Sequence, residues 1–527
     1  MNDKELILAI DHGTSGIKAA LVSVAGRIID FAFEKTPIYF IPNGGAEQNP
    51  EDWWKALVRA ASSLIKHNPG VKDRLVAIAV SSTFSTTVCV DKNGKNIGCA
   101  ITWMDSRGAP YVKKLVSGFP SIEGYGLPMI LKWLPKTGGG PTLSGKDDIA
   151  HILFIKNEHP DIYEKTHMFL PSKDYLNLRL TGSFAASFDS VQLFWLTDIR
   201  DPNRIHYDPA LISASGIDAE KLPPLVAPTD IIGTLLPKVA EKIGIPPETR
   251  VVSCSPDHQT ACVGSGAVDD FSAHLYIGTS SWLQAVVPFK KTDVFHSIAS
   301  FPTAIPGRYQ SVNEQDMAAG CLDFLFNNLF FHDGRLCKEE GDPFDRIEEF
   351  AAQVPPGSES LIFLPWLNGE RTPVDDPLLG GGFYNMTKTC TKAHLIRAVM
   401  EGVALNTRWS LKYVEKFVGK RLEPITIIGG GAQSDAWCQI FADVLDREIR
   451  RAKAPRQANA RGAAFIAAVG LGLLKFDEIP GLMEYDRTFY PNEGTRKTYD
   501  FLYDAFIRIY KANRKILASL NRRKNRL

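Results

Sequence analysis

The sequence predicts an α/β protein built from two similar halves, and three observations carry that prediction. A strand–turn–strand unit near the N-terminus, LAIDHGTSGIKAAL, returns about half a chain later as LYIGTSSWLQAVV, with Gly-Thr-Ser at the turn both times. Apolar runs of strand length alternate with stretches of helical periodicity. The chain has 527 residues, too many for one ordinary core, so about two to four units are expected.

The elements follow in order. ELILAID and IKAALVSVAG flank the DHGTSG turn as strands, and RIIDFAFEKTPIYF supplies a third. QNPEDWWKALVRAASSLIKH then reads as a helix. Asn49 can cap it, Pro50 suits its first position, and Glu51 and Asp52 favour its positive end. Trp54, Leu57, Val58, Ala61, Leu64 and Ile65 recur at helical spacing, and RLVAIAVSS returns as a buried strand. Residues 124–147, rich in Gly and Pro, read as a loop-rich excursion. The Pro-rich connection near PPETRVVSCSPD marks a boundary, giving domains over 1–252 and 253–527. A long amphipathic helix over roughly 391–417, the strand PITIIGG, and helices at DAWCQIFADVL and ARGAAFIAAVG complete the second half. From Arg508 onward there are eight basic residues and no acidic one. The helical apolar spacing there favours a docked helix with a solvated basic face over nucleic-acid binding.

Composition narrows the function. Lys and Arg total 60 against 59 acidic residues, so charge calls for neither nucleic acid nor membrane, and a small-molecule partner is the default. Eight cysteines without a C-x-x-C pair read as reduced, mostly core residues. The N-terminus has too short an apolar run for a signal peptide, so a cytoplasmic location is expected.

Several stretches carry chemistry. In the turn at 11–16, Gly13 and Gly16 permit tight geometry, and Thr14 and Ser15 add hydroxyls to backbone N–H groups that can bind phosphate oxygens. Asp11 ends a buried strand where a carboxylate suits Mg²⁺. An ordinary hairpin turn is the alternative. Gly278-Thr279-Ser280 has the same chemistry and the same alternative. In IGGGAQSDAW, three glycines between a strand and a helix allow a flat ligand close to the backbone. The small residues of ARGAAFIAA suit either that purpose or a close helix interface. Asp257, beside His258 and Gln259, is either a proton acceptor in a cleft between halves or a helix cap. Asp105 and Arg107 in WMDSRG either hold polyol hydroxyls or form an ion pair.

Taken together and in order, these pieces resemble the FGGY family of carbohydrate kinases over nearly the whole chain, and within it xylulokinases most. The matching stretches are IDHGTSGIKAAL, AEQNPEDWW, WMDSRG, FLPSKDYLNLRLTG, SPDHQTACVGSG, YIGTSS, FLPWLNGERTP, ITIIGGGAQS and the run from Gly381 to Glu401. The resemblance implies two actin-like α/β domains with ribonuclease-H-like cores, closing around ATP, Mg²⁺ and a sugar or polyol. On the family pattern Asp257 is the proton acceptor and Asp11 helps organise metal and phosphates. Gly13, Thr14, Ser15, Gly278 and Thr279 form two phosphate turns. Gly429, Gly430, Gly431 and Ala432 lie against the adenosine, and Asp105 lies near the sugar. A homodimer is left open.

The chain also departs from that pattern. Thr83-Phe84-Ser85 stand where xylulokinases carry Gln-Met-His in a sugar-facing segment, and His258 replaces an Asn or Gln. Asn385 stands where glycine is usual, and His151 and Phe154 where Lys and Trp are expected. Two other classes remain as rivals: a nucleotide-switched actin-like or chaperone-like ATPase, and a non-catalytic sugar sensor.

Overall fold

The structure is a computed structural model that describes residues 4–330 and 346–524. Its first sheet begins as an antiparallel meander of β1 (Leu6–Gly13), β2 (Gly16–Ser23) and β3 (Ile28–Lys35). The chain then enters α1 (Pro50–His67), where Asn49 Oδ1 accepts the Glu51 N–H at 3.1 Å as its cap. It returns as β4 (Leu75–Ser82), parallel to β1. Two later strands, β5 (Ile231–Thr234) and β6 (Arg250–Val252), complete the order β5-β6-β4-β1-β2-β3. Both β1 and β4 are buried almost throughout, as parallel strands covered on two faces must be.

The second sheet repeats this plan. β7 (Ala273–Ile277) and β8 (Ser281–Val287) are antiparallel. β9 (Thr292–Asp293), β10 (Ile298–Pro302) and β11 (Tyr309–Val312) extend that side. β12 (Ile425–Ile428) pairs parallel to β7 and β13 (Ile449–Ala452) parallel to β12, with β14 (Tyr485–Phe489) antiparallel at the edge. Strands β7, β8, β11, β12 and β13 thus take the places of β1, β2, β3, β4 and β6. Each half has the ribonuclease-H-like core that the resemblance implies, although only short sequence echoes link them.

Equivalent helices join the halves. α4 (Asp257–Gly264) follows β6, and α7 (Ala458–Gly470) follows β13. They cross at Gly264 and Gly462 with backbones in contact: a Cβ would lie 1.9 Å from Ala458 O at the first and 1.8 Å from Thr260 O at the second. Ala463, Ala464 and Ala467 of α7 share one core with Ile7, Ala9, Ala77 and Ala79 of the first sheet. The small residues of ARGAAFIAA therefore serve a close helix interface.

The excursion over 124–147 differs from the loop its composition suggests, because it contains α2 (Leu127–Thr137). Pro128 falls in the first turn, where a missing N–H costs little, and Gly138 ends the helix with φ 77°. These residues punctuate the helix instead of breaking it. Further helices are α3 (Ser172–Thr181), α5 (Lys392–Val418), α6 (Asp435–Leu445) and α8 (Arg496–Lys524). Tyr499, Leu502 and Phe506 bury the start of α8, and Asn521 Nδ2 donates to Leu378 O at 2.9 Å. The last three residues of the basic end, like Cys337, lie outside the described residues. Among the described residues no disulfide forms, and Cys89, Cys254, Cys262, Cys321 and Cys438 are buried.

Candidate active site

Parallel strands deliver their C-terminal ends to one edge of a sheet, and five of the sequence-marked segments sit at such ends. Asp11 and Gly13 end β1, Thr83-Phe84-Ser85 follow β4, and Asp257 follows β6. In the second sheet Gly278 follows β7 and Gly429 follows β12.

The first turn is pinned from behind. Gln48 Nε2 donates to Thr14 O at 2.9 Å, Thr36 N–H donates to Ser15 O at 3.1 Å, and Trp103 Nε1 donates to Thr14 Oγ1 at 2.9 Å. The Thr14 and Ser15 carbonyls are thus directed into the protein. Gly16 is required here: φ is 155°, and a Cβ would lie 2.2 Å from Glu34 O. The second turn is held the same way, with Thr279 O accepting from Ala318 N–H at 2.8 Å and Gly278 O from Ala319 N–H at 2.9 Å. The Gly278 N–H itself donates to Ser280 O at 2.9 Å, so Gly278 supplies shape, and Thr279 beside it is exposed. A Cβ on Gly278 would strike the Tyr276 ring at 2.6 Å.

Asp11 is buried and pairs through Oδ2 with Lys18 Nζ at 3.1 Å, while Oδ1 has no hydrogen-bond partner among the described residues. The Asp11 charge raises the Lys18 ammonium pKa against the effect of burial. Asp257 opens α4, and its Oδ1 accepts the His258 N–H at 2.9 Å. Burial, then the charges of Asp11 and Glu314, push the Asp257 carboxyl well above the usual carboxylate range. Asp11 and Glu314, on separate elements, thus lie near enough for their charges to act on Asp257.

His258 belongs to a column of rings. Tyr276 stacks on Trp282 at 4.0 Å, Trp282 on His258 at 4.2 Å, and the Phe84 edge meets His258 at 5.5 Å. Gln310 Nε2 donates to Gln284 Oε1 at 3.1 Å, and Gln284 Nε2 lies 2.7 Å from His258 Nδ1. Burial lowers the His258 pKa to about 4, so the ring is neutral at pH 7. With Nδ1 accepting from Gln284, the proton sits on Nε2, which has no hydrogen-bond partner among the described residues. The two departures from the family pattern, at 83–85 and 258, are thus in contact. Ser85, with φ 53°, donates through Oγ to Lys146 O at 2.8 Å, and Thr83 N–H donates to His12 O at 3.0 Å.

Asp105 is sealed at 0% exposure. Its carboxylate takes the Ala46 N–H at 2.9 Å and the Arg107 guanidinium at 2.7 Å, and Arg107 also reaches Glu47 at 2.5 Å. The ion-pair alternative describes this geometry, which ties Asp105 and Arg107 to the Gly45–Gln48 strand. In the glycine loop, a Cβ at Gly429 or Gly431 would strike Ile277 at 2.4 or 2.3 Å, so packing demands both. Gly430 is exposed, with nothing within 4 Å of a Cβ, and Ala432 is buried. One of the three glycines is open to a ligand.

Sequence reasoning passed over Trp103, Lys18, Glu314, Trp282 and Arg371. Trp103 and Arg371 lie in the quoted stretches WMDSRG and NGERTP, but nothing local marks their partners. Arg371 is bound by Glu314 and by Asp316 at 2.9 Å.

Two family models match the chain. The N-terminal domain of the FGGY family of carbohydrate kinases covers residues 6–264, and its C-terminal domain covers 273–471. The chain belongs to the FGGY family of carbohydrate kinases. As an FGGY kinase it is an enzyme, an ATP-dependent sugar kinase. A xylulose kinase of Staphylococcus epidermidis is 28% identical over 98% of this chain and 99% of that protein. A gluconokinase of Bacillus subtilis is 26% identical over 95% of each. A solved gluconate kinase and a ligand-bound xylulose kinase, both from Lactobacillus acidophilus, share this FGGY fold. Each has a TM-score of 0.83 at 24% identity, over 97% of this chain and 98% of the other. Among the described residues no helix of this FGGY kinase is long and apolar enough to cross a membrane. Asn385, which replaces the usual glycine, has φ 66°, and asparagine tolerates that left-handed geometry.

Proposed function

We propose that this FGGY kinase phosphorylates a hydroxyl of a xylulose-like ketose or a related polyol, with Asp257 as proton acceptor. The observation that carries the proposal is Asp257 itself. Desolvation and the charges of Asp11 and Glu314 raise its carboxyl above the usual range, which makes it a stronger base for a hydroxyl proton. The sugar oxygen forms a bond to the terminal phosphorus of ATP, the bond to the ADP oxygen breaks, and the hydroxyl proton passes to Asp257. The charge-spread transition state makes positioning and electrostatic stabilisation the main contributions of the protein.

In this reading Thr14, Ser15 and Thr279 grip the phosphates while Gly430 and its neighbours pass beside the adenosine. Asp11 is the residue that would hold Mg²⁺ beside the phosphates. Among the described residues no group of three or more His, Cys, Asp or Glu is arranged to hold a metal. A single carboxylate suits an ion held mainly by phosphate and water oxygens. Thr14→Val is expected to raise the KM for ATP about tenfold and leave the sugar KM unchanged. A change confined to the sugar KM, in steady-state kinetics, would remove the first turn from the phosphate role.

Phe84 and the Nε2–H of His258 replace the residues that xylulokinases present to sugar, and that is the argument for including polyols other than xylulose. A coupled ADP-release screen over ketoses, aldoses, sugar alcohols and aldonates tests the reading. Strong dependence on an added ketose or polyol is expected. Turnover confined to aldonates, the class the gluconokinase relatives suggest, would overturn the ketose assignment.

A further inference from the structure

Behind the loop that presents Asp257 lies a buried charged network that the phosphate and sugar chemistry does not use. Part of it comes from FLPSKDYLNLRLTG, the stretch that contains the whole of α3. Lys173 and Asp174 are both 0% exposed and bonded at 2.5 Å. Lys173 Nζ also donates to Ser253 O at 3.2 Å, and Asn177 Nδ2, one turn along, donates to the same carbonyl at 2.9 Å. Asp189, equally sealed, accepts from Ser187 Oγ at 2.5 Å and Ser255 Oγ at 2.6 Å. Ser190 Oγ closes the network onto Asp174 at 2.5 Å.

The segment gripped this way is strained. Cys254 lies between the two held residues with φ 62°, an unfavourable geometry for a residue with a side chain. On its other side, Ser253 N–H donates to Asp230 O at 2.9 Å and Cys254 N–H to Pro228 O at 2.8 Å. Only Pro256 separates Ser255 from Asp257, and its ring leaves little rotation at that link. A loop surface would not need a lysine, two aspartates and three hydroxyls removed from water, because burying charge is costly unless it is fully bonded. Here each charge meets a partner, and two of the partners are the residues flanking the strained position.

We infer that Lys173, Asn177, Asp189 and Ser255 are positioning residues that lock the 253–255 turn and so aim the Asp257 carboxylate at the acceptor hydroxyl. The inference rests on Asp257 being the proton acceptor. Misplacement of a reacting group by about 1 Å can cost on the order of 100-fold in rate.

The test is a double-mutant cycle on the full-length kinase with its best sugar from the screen. Ser255→Ala should lower kcat by about 10- to 100-fold with both KM values within about twofold of wild type. Asn177→Ala, which leaves the charged pairs in place, should act in the same direction if Ser255→Ala folds poorly. In an Asp257→Asn background, Ser255→Ala should cost nothing further, because there is no base left to aim. Wild-type kcat in both single variants, or a loss that multiplies in the Asp257→Asn background, would show a network that only stabilises the fold. Near-normal turnover by Asp257→Asn alone would instead remove the base assignment, and this inference with it.

Discussion

Asp257→Asn is expected to lower kcat by about 10²- to 10⁴-fold, to leave ATP binding intact, and to raise the thermal midpoint at neutral pH. The two effects share one cause. The folded protein holds the Asp257 carboxyl half-buried and within reach of the charges of Asp11 and Glu314, and desolvation with those charges favours its protonated form. Between its ordinary value and that raised value, the folded state binds more protons than the unfolded chain. Stability therefore falls as pH climbs through that window, and the penalty persists above it. Asparagine keeps the shape and removes both the charge and the penalty. Thermal melts of the two proteins should converge toward about pH 4 and separate as pH rises. The acid limb of kcat/KM should likewise lie above the ordinary carboxylate value of about 4. A variant that melts below wild type at pH 8 would contradict the burial account, and one with near-normal turnover would contradict the base role.

Gly264→Ala should be one of the most damaging single methyl additions among the described glycines. Its Cβ would meet Ala458 O at 1.9 Å and Gly462 N at 2.7 Å, both backbone atoms that no rotamer change can move aside. The α4–α7 crossing would have to open. Because α7 also packs on β1 and β4, the strain would spread into the core shared by the two halves. A cost of about 3 kcal/mol or more follows, with a thermal midpoint lower by at least about 5 °C. Gly462→Ala should behave alike, since its Cβ would lie 1.8 Å from Thr260 O. Gly430→Ala is the control, with nothing within 4 Å of its Cβ, and should leave the melt unchanged. Equal melts for Gly264→Ala and Gly430→Ala would show that the crossing yields easily.

Much of this molecule was readable residue by residue. The α1 helix begins where Asn49-Pro50 says it should, because capping and the fixed proline φ act over a few neighbouring residues. The strands around the two Gly-Thr-Ser turns, the long α5 helix and the small-residue α7 helix follow from periodicity for the same reason. The order of the motifs was enough to bring out the family.

What the chain could not reveal locally depends on residues brought together by strand pairing and helix crossing. WMDSRG does not say whether Asp105 faces a sugar or Arg107; the 44–48 strand, which supplies the Ala46 N–H and Glu47, decides for Arg107. The glycines of IGGGAQ all look available to a nucleotide until β12 is laid beside β7 and Ile277 claims Gly429 and Gly431. Phe84 and His258 are separate oddities in sequence, and one ring contact in space. Capping and periodicity are short-range and leave their mark within a window of residues. Burial, charge convergence and backbone contact depend on which distant segments share a volume, and that is specified only when the whole sheet order is complete.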